Sequence, residues 1–178
     1  CTPSGLHAEQ AISIMRRNKA VLTEKPMSTR FVDALSMYKF SQINDVPLFI
    51  VKQFRLHPYL KYLKKILLSE GLGKLNSMNM NVFWTRPQSY YDEEAWRGSR
   101  SLDGGALMNQ SCHFLDLLLW LFGPITEINA LSSTSRDIYV EDTISLNLRW
   151  GNGLIGSMNV TMTTFDKNLE TSLTLLGS

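Results

Sequence analysis

The sequence predicts a mixed α/β protein in two parts: a short helix-covered parallel sheet, then a mainly antiparallel open sheet covered by helices on one face. Near the beginning, the short apolar runs 20–22 and 48–54 alternate with helical patterns, as buried parallel strands do. Farther along, apolar and polar residues alternate with a period of two, which is typical of strands with one buried face. We therefore predict a domain boundary near residue 55, separating residues 1–55 from 56–178.

The helices of the first part are predicted from apolar spacing. Residues 6–19 carry apolar side chains at helical intervals and basic residues in the last turn, which favours a helix. Ser28 is a candidate cap for a second helix, which runs to about Ile43. A third helix is predicted over residues 57–69, opened by a proline. The buried face of the second helix is predicted to consist of Phe31, Leu35, Tyr38 and Ile43.

The second part contains the alternating strands and the most apolar helix. This helix is predicted over residues 105–121, between the strands in sequence, and it should cover their apolar face. The sequence has no initiator Met and ends within a segment with a strand pattern. We therefore expect it to be a fragment of a longer protein. The alternating segments are residues 78–84, 144–150 and 158–162.

The composition narrows the class of function. The chain has 178 residues, of which 44% are hydrophobic and 19% charged, which is typical of a globular protein with a sizeable core. Its net charge of +2 is too balanced to indicate a nucleic-acid binder. Its two cysteines, Cys1 and Cys112, are too few for a disulfide framework. Its longest apolar stretch is too short to span a bilayer. We therefore expect a cytoplasmic protein with no membrane partner.

A glycine pattern in the second part resembles a dinucleotide-binding loop but is better explained as a turn. Residues 151–156 match G-x-G-x-x-G, which binds pyrophosphate only where a strand turns into a helix. Here two alternating strands flank the pattern, and Asn152-Gly153 is a strong hairpin signal. We predict a β-hairpin at this position.

A lysine follows the first predicted strand directly, in Glu24-Lys25-Pro26. The carboxyl end of a parallel strand is where α/β sheets bind ligands. A partly desolvated ammonium at this edge could donate hydrogen bonds to a hydroxyl or carbonyl under reaction. The alternative is a solvated lysine in a turn before Pro26.

The predicted helix near residue 110 carries a second group of candidates. On a helix, Asn109 and His113 share a face, with Asp116 one turn beyond. Histidine exchanges protons near neutral pH, so His113 is the natural acid or base. The alternative is a hydrogen-bonded core or capping histidine. We predict no metal site, because His7 and His57 show no ligand spacing relative to His113.

Arginines alternate with aromatic residues over residues 84–97. Arginine can bind phosphate with two hydrogen bonds, and aromatic rings can stack on a base. With so small a net charge, one nucleotide is a better candidate ligand than a nucleic acid. The alternative is a loop whose aromatic side chains pack on the sheet and whose arginines are solvated.

Together these segments resemble the family of glucose-fructose oxidoreductase, inositol dehydrogenase and rhizopine-catabolism proteins (Gfo/Idh/MocA). Thr2-Pro3 followed by His7 resembles the cofactor-binding turn after the family's fourth strand, and Glu24-Lys25-Pro26 resembles its lysine motif. Residues 104–113 resemble the helix G-G-G-x-x-x-D-x-G-x-H, with Asn109 in place of aspartate. The chain is most similar to bacterial UDP-N-acetylglucosaminuronic acid 3-dehydrogenases. Residues 79–91, 96–98, 108–110 and 160–170 carry that closer similarity.

The resemblance implies a Rossmann-like first part that lacks the family's glycine loop, so the chain by itself is expected to be inactive. It implies NAD as cofactor, with NADP as the alternative. It also implies that Lys25 orients and polarises the sugar hydroxyl, that His113 takes its proton and that Asn109 positions the sugar. The residues expected to contact the cofactor are Thr2, Pro3, His7, Glu24 and Lys25. Those expected to contact the substrate are Arg86, Tyr91, Arg97 and Asn109.

The reaction that the resemblance implies is oxidation of the C3 hydroxyl of a UDP-N-acetyl-hexuronic acid in surface polysaccharide synthesis. The substrate partner is thus a small sugar or sugar nucleotide, and the polar face of the open sheet is expected to form a homo-oligomer or to be solvated. Two alternatives are a dehydrogenase of a free sugar or cyclitol and a non-catalytic binding or assembly module. The polar sheet face comprises Asn79, Asn81, Asn147, Arg149, Asn159 and Thr161.

Overall fold

The computed structural model describes residues 2–178, so that Cys1 lies outside the described residues. The helices are α1 His7–Met15, α2 Phe31–Asn44, α3 Pro58–Leu68, α4 Gln88–Asp92 and α5 Cys112–Phe122, with a π-helix at Ala106–Gln110 and 3₁₀ turns at Ser4–Leu6 and Gln53–Leu56. The strands are β1 Val21–Thr23, β2 Leu48–Ile50, β3 Leu75–Phe83, β4 Ile125–Ser133, β5 Thr143–Trp150, β6 Ile155–Thr161 and β7 Glu170–Gly177.

The first part is a two-stranded parallel sheet with two helices, which confirms the predicted parallel arrangement. Val21 of β1 is opposite Leu48 of β2. Side chains from α1, α2 and β1 form one small core, because their apolar faces meet on the same side of the sheet. The buried members of this core are Ala8, Ala11, Met15, Val21, Met37 and Val46.

The predicted buried face of α2 is wrong. Phe31, Tyr38 and Ile43 are exposed, whereas Met37 and Ser41 are buried. The side of α2 that packs in the small core carries Met37, Phe40 and Ser41. The Ser41 hydroxyl is satisfied by donating to the Val46 carbonyl at 2.7 Å. The helix also starts later than predicted. The Ser28 hydroxyl accepts from the Arg30 backbone N–H at 3.2 Å and does not cap α2.

The predicted strand at residues 48–54 is too long. β2 ends at Ile50, and residues 53–56 form a 3₁₀ turn. Phe54 packs against the core of the second part, not on the two-stranded sheet. The apolar run 48–54 therefore serves two cores. Its beginning forms β2, and Phe54 at its end belongs to the core of the second part, so the run does not form one continuous strand.

The second part is built on one five-stranded sheet in the order β4-β5-β6-β3-β7. β3 and β6 are parallel, and the other neighbouring pairs are antiparallel. β5 and β6 are joined by the predicted hairpin, in which Gly153 has a φ of +88°. Glycine adopts this left-handed conformation without steric cost. The glycine pattern at 151–156 is thus a turn between strands and holds no helix N-terminus.

One face of this sheet is buried and the other is open, as the alternation predicts. The buried side chains of β3, β5 and β6 pack against Phe114 and Leu118 of α5. On the open face, polar side chains bond to one another across the strands, as Asn79 does to Ser157 at 2.7 Å. β4 was missing from the predicted strands, and its residues after Ile125 are all exposed. The strand residues in the buried layer are Met78, Met80, Val82, Ile144, Leu146, Leu148, Trp150, Met158 and Val160.

The single helix predicted over residues 105–121 is wrong, since the structure has two segments there. The π-helix over residues 106–110 ends at Ser111, where α5 begins. The carboxylate and carbonyl of Glu141 hold the start of the π-helix by accepting from the backbone N–H groups of Leu107 at 3.1 Å and Ala106 at 2.9 Å. Within residues 2–178, no helix is long and apolar enough to cross a membrane.

Candidate active site

Lys25 extends from the loop after β1 to the π-helix of the second part. Its ammonium donates to the backbone carbonyl of Asn109 at 3.1 Å and to the side-chain Oδ1 of Asn109 at 3.3 Å. The structure thus joins two predicted site residues that lie 84 positions apart in sequence. Lys25 is half-buried and hydrogen-bonded, unlike the solvated lysine of the alternative interpretation.

The other end of the Asn109 side chain is held by Asp103, which sequence reasoning did not single out. The Asn109 amide donates to Asp103 Oδ1, and the Gly98 N–H donates to Oδ2 at 2.7 Å. Burial raises the pKa of the Asp103 carboxyl, while the bonds from Gly98 and Asn109 act in the opposite direction. The only signal in the sequence is an acidic residue directly before two glycines, which is weak.

His113 lies in the first turn of α5, near enough to Lys25 for the lysine's charge to act on its imidazole. Its Nδ1 is buried and has no hydrogen-bond partner, and its ring lies 5.3 Å from that of Phe54, centre to centre. Burial, together with the positive charges of Lys25 and Lys52, lowers the pKa of His113 from 6.5 to about 4. The imidazole is therefore neutral near pH 7 and can accept a proton.

Asp116 lies one turn beyond His113 in α5, as predicted, and its carboxylate is paired with basic side chains. Its carboxylate binds the Arg55 guanidinium at 2.6 and 2.8 Å and lies 3.6 Å from the Lys52 ammonium. Because the helix is interrupted at Ser111, Asn109 and His113 belong to different segments. Asn109 and His113 therefore do not belong to the single regular α-helix that the sequence predicts.

The residues predicted to contact the cofactor gather at the edge of the small sheet. The His7 Nδ1 lies 2.8 Å from the Pro26 carbonyl oxygen and ties α1 to the loop that carries Lys25. A cleft of about 430 Å³ lies beside them. Pro3 does not line this cleft, and its carbonyl accepts from the Leu6 N–H at 3.0 Å. The site residues that line the cleft are Thr2, His7, Glu24, Lys25 and Asn109, joined by Trp96, which sequence reasoning did not select.

Arg86 and Arg97 both approach the ring of Tyr90. The Arg97 guanidinium is 4.3 Å from the centre of the Tyr90 ring, and that of Arg86 is 5.4 Å from it. Arg86 also donates to the Gln110 side chain at 3.1 Å, next to Asn109 in the π-helix. Gln110 in turn donates to the Tyr90 hydroxyl at 3.3 Å. Two cations and a phenol therefore form one cluster connected to the π-helix.

Tyr91, the third predicted substrate contact, lies in the interior. Its side chain is buried, and burial raises the pKa of its hydroxyl to about 12. The tyrosine that both arginines approach is its neighbour Tyr90, whose ring meets that of Tyr91 edge-on at 5.1 Å. Sequence spacing alone could not distinguish the two, because adjacent residues in a short helix point in different directions.

Among residues 2–178, no three histidine, cysteine, aspartate or glutamate side chains come together as a group able to hold a metal ion. The candidate side chains include those of lysine, asparagine, histidine and arginine residues. These groups suit binding of a polar, negatively charged ligand and transfer of a proton.

Two family models match the chain. One, described as the GFO/IDH/MocA C-terminal domain, matches residues 60–178. The other, described as an oxidoreductase family with an NAD-binding Rossmann fold, matches residues 1–51. The chain belongs to the Gfo/Idh/MocA family. This confirms the family resemblance, and residues 1–51 belong to an NAD-binding Rossmann domain.

The WlbA dehydrogenase from Bordetella pertussis, solved with NADH and UDP-GlcNAcA, is 47% identical and superposes with a TM-score of 0.97 over 99% of this chain and 53% of its own. The WlbA dehydrogenase from Chromobacterium violaceum, solved with the same two ligands, is also 47% identical, with a TM-score of 0.97 over 100% of this chain and 52% of its own. An uncharacterized oxidoreductase from Synechocystis sp. is 27% identical over 90% of this chain and 47% of its own length. The chain therefore spans about half the length of the relatives it matches.

Proposed function

We propose that this chain belongs to an NAD-dependent dehydrogenase that oxidises the C3 hydroxyl of a UDP-N-acetyl-hexuronic acid. The observation that carries the proposal is the joining of Lys25 to Asn109 across the two parts of the chain, with the neutral His113 beside them. An ammonium next to a neutral imidazole is what removal of a proton from an alcohol requires. The identity to two dehydrogenases solved with NADH and UDP-GlcNAcA supports the substrate class.

In the proposed mechanism, Lys25 donates a hydrogen bond to the C3 hydroxyl oxygen and His113 accepts the hydroxyl proton. As that proton leaves, the carbon–oxygen bond becomes a carbonyl and the hydrogen on C3 departs with its electron pair. Bound NAD supplies the acceptor for that hydride. The positive charge of Lys25 stabilises the negative charge that develops on the oxygen. Asn109 fixes the lysine and contacts the sugar.

The residues around the cleft fit one end of the cofactor. Thr2, His7, Glu24 and Lys25 line a cleft that Asn109 also borders, and Pro3 follows Thr2 directly in the chain. Within residues 2–178 no glycine-rich loop joins a strand to a helix, since the pattern at 151–156 is a hairpin. Such a loop holds the pyrophosphate in Rossmann domains. We therefore propose that the 178-residue chain alone does not turn over its substrate.

The cluster of Arg86, Tyr90 and Arg97 is the proposed site for the nucleotide portion of the substrate. Arg86 is connected through Gln110 to the π-helix that carries Asn109, so a ligand at the arginines could extend to the reacting groups. Guanidinium groups pair well with phosphate oxygens. Tyr91 is proposed to support this cluster through its ring contact with Tyr90.

Further parts of the proposal concern the context of the enzyme. We propose a division of the chain near residue 55, a homo-oligomer formed through the open sheet face, and a cytoplasmic role in surface polysaccharide synthesis. The polar network on that face, exemplified by the bond from Asn159 to Asn81 at 3.3 Å, offers hydrogen-bonding groups to a second subunit. The measurement for the oligomer is the mass of the full-length protein in solution.

The experiment for the substrate compares compounds that differ by one group. The full-length protein with NAD is expected to form NADH with UDP-GlcNAcA and to do so far more slowly with UDP-GlcNAc, which lacks the carboxylate, or with free sugars and inositol. The 178-residue chain alone serves as the control and should form no NADH. Turnover restricted to free sugars or cyclitols would support the alternative dehydrogenase. No NADH from any of these compounds would favour a non-catalytic module.

A further inference from the structure

Asp103 is a buried carboxylate that the proposed mechanism does not use. It is 3% exposed, and each of its oxygens accepts one hydrogen bond, from the Gly98 N–H and from the Asn109 amide. A buried carboxyl group is costly unless its oxygens are hydrogen-bonded. The Asn109 side chain that donates one of these bonds also accepts from Lys25, a proposed reacting group, which points to a role for Asp103 in arranging that contact.

The Asn109 amide satisfies its two neighbours in only one orientation. A carboxylate accepts hydrogen bonds and does not donate them, whereas an ammonium donates and does not accept. Nδ2 must therefore face Asp103 and Oδ1 must face Lys25, which is the arrangement observed. A flipped amide would place an N–H group against the ammonium and an oxygen against the carboxylate.

The same arrangement determines which N–H donor of the Lys25 ammonium remains free. An ammonium has three N–H donors. Two of them are taken by the carbonyl and the Oδ1 of Asn109, so the third is left for a substrate hydroxyl. If the Asn109 amide turned, Lys25 would lose one of its two fixed bonds and its third donor would lose its direction.

We propose that Asp103 is the positioning residue for Lys25. By fixing the orientation of the Asn109 amide, it directs the remaining N–H of the lysine toward the substrate. This inference rests on the function proposed above, in which Lys25 polarises the reacting hydroxyl. Asp103 itself does not touch the substrate.

The test exchanges the two side chains. In Asp103→Asn, two amides meet and Asn109 is no longer fixed, so kcat of the full-length protein should fall about 10- to 100-fold, as expected for a misplaced reacting group. The KM for NAD should not change. In the double variant Asp103→Asn/Asn109→Asp, the amide introduced at position 103 donates to the carboxylate introduced at position 109, which again accepts from Lys25. The kcat of the double variant should return to within about fivefold of wild type, because the two sites are coupled.

Asp142 provides the matched control. It is also a fully buried aspartate that accepts backbone N–H bonds, from Ser135 at 2.7 Å and Arg136 at 2.8 Å, but its side chain is not hydrogen-bonded to Asn109 or Lys25. Asp142→Asn should lower the melting temperature while leaving kcat near wild type. If Asp103→Asn does not fold, the double variant must still fold and be active. A wild-type kcat in Asp103→Asn, or a double variant that is inactive or unfolded, would overturn the proposal.

A second measurement does not need the substrate. Acylation of Lys25 by an N-hydroxysuccinimide ester, followed by peptide mass spectrometry, reports how firmly its nitrogen is held. The rate should rise several-fold in Asp103→Asn and return in the double variant, while Asp142→Asn should match wild type. An unchanged rate in Asp103→Asn contradicts the positioning role even if UDP-GlcNAcA is not the substrate. If the wild-type protein shows no turnover of UDP-GlcNAcA but Lys25 acylation changes as expected among the variants, only the proposed function is contradicted.

Discussion

The two parts of this chain place apolar residues in very different surroundings. In β5, Ile144, Leu146 and Leu148 are all buried beneath α5. In the first part, Leu22 of β1 and Phe49 of β2 are exposed, although they belong to equally apolar strands. A run of apolar residues therefore identifies a strand, but the burial of its side chains depends on what lies against each face.

The two parts are joined by polar contacts close to the proposed site. Lys25 binds Asn109, the Thr29 hydroxyl donates to the Ser101 carbonyl at 2.9 Å, and the Gly5 N–H donates to the Leu102 carbonyl at 2.9 Å. The first part, which is lightly packed and carries Lys25, is thus attached to the well-packed second part, which carries His113. Directional hydrogen bonds fix the relative position of the two groups more precisely than apolar contact would.

The largest expected effects come from removing one reacting group from each part. Lys25→Ala and His113→Ala should each lower kcat of the full-length protein about 10²- to 10⁴-fold, the range for acid–base groups. Lys61→Ala, which removes an exposed lysine from α3, is the control and should not change kcat. Steady-state rates with UDP-GlcNAcA and NAD measure all three. A wild-type rate in either site variant contradicts the role proposed for that residue.

A pair of aliphatic truncations tests the difference in packing directly. Leu118 in α5 is fully buried, whereas Ile43 in α2 is 81% exposed. Leu118→Ala should lower the free energy of unfolding of this chain by about 2–5 kcal/mol, because it removes apolar contacts and leaves a cavity. Ile43→Ala should change it by less than about 0.5 kcal/mol. Urea titrations of the two variants give both values. A loss above about 2 kcal/mol in Ile43→Ala would show that this face of α2 is covered.

The fold was predictable from sequence where the pattern is local and repeated. The alternation of β3, β5 and β6 correctly identified their buried faces, and Asn152-Gly153 correctly identified the hairpin. The α2 face was predicted wrongly because this helix carries apolar residues on both sides, with Phe31 and Ile43 exposed and Met37 and Phe40 packed in the small core. β4 was missed because, apart from its first residue, its side chains are exposed and carry no alternating signal.

The types of residue at the site could be predicted from the sequence, but the hydrogen bonds and ring contacts between them could not. A lysine after a strand and a histidine on an apolar helix could be recognised as candidates. The interruption at Ser111 could not, because the segment around it has a helical apolar pattern and π-helical geometry is set by contacts such as those of Glu141. Asp103 and Tyr90 were missed for the same reason, since their importance lies in partners distant in sequence.

The smallest expected effect concerns the pH dependence of stability at His113. The pKa of this residue in the folded chain is about 4, below its ordinary value of 6.5. Below pH 6.5 the unfolded chain binds a proton that the folded chain excludes. The contribution of the neutral, buried imidazole is therefore fully present above about pH 6.5 and is lost as the pH falls toward 4. Its size is limited because part of the ring is reached by solvent.

The measurement compares wild type with His113→Gln, which cannot be protonated. Between about pH 7.5 and pH 5 the melting temperature of wild type should fall more than that of the variant, by roughly a few degrees. Above about pH 7.5 the difference between the two should be constant, because His113 is neutral in both the folded and the unfolded chain. Parallel curves at every pH would mean that His113 is not held neutral by burial. In that case the protein would not provide the proton acceptor that the proposed reaction needs at this position.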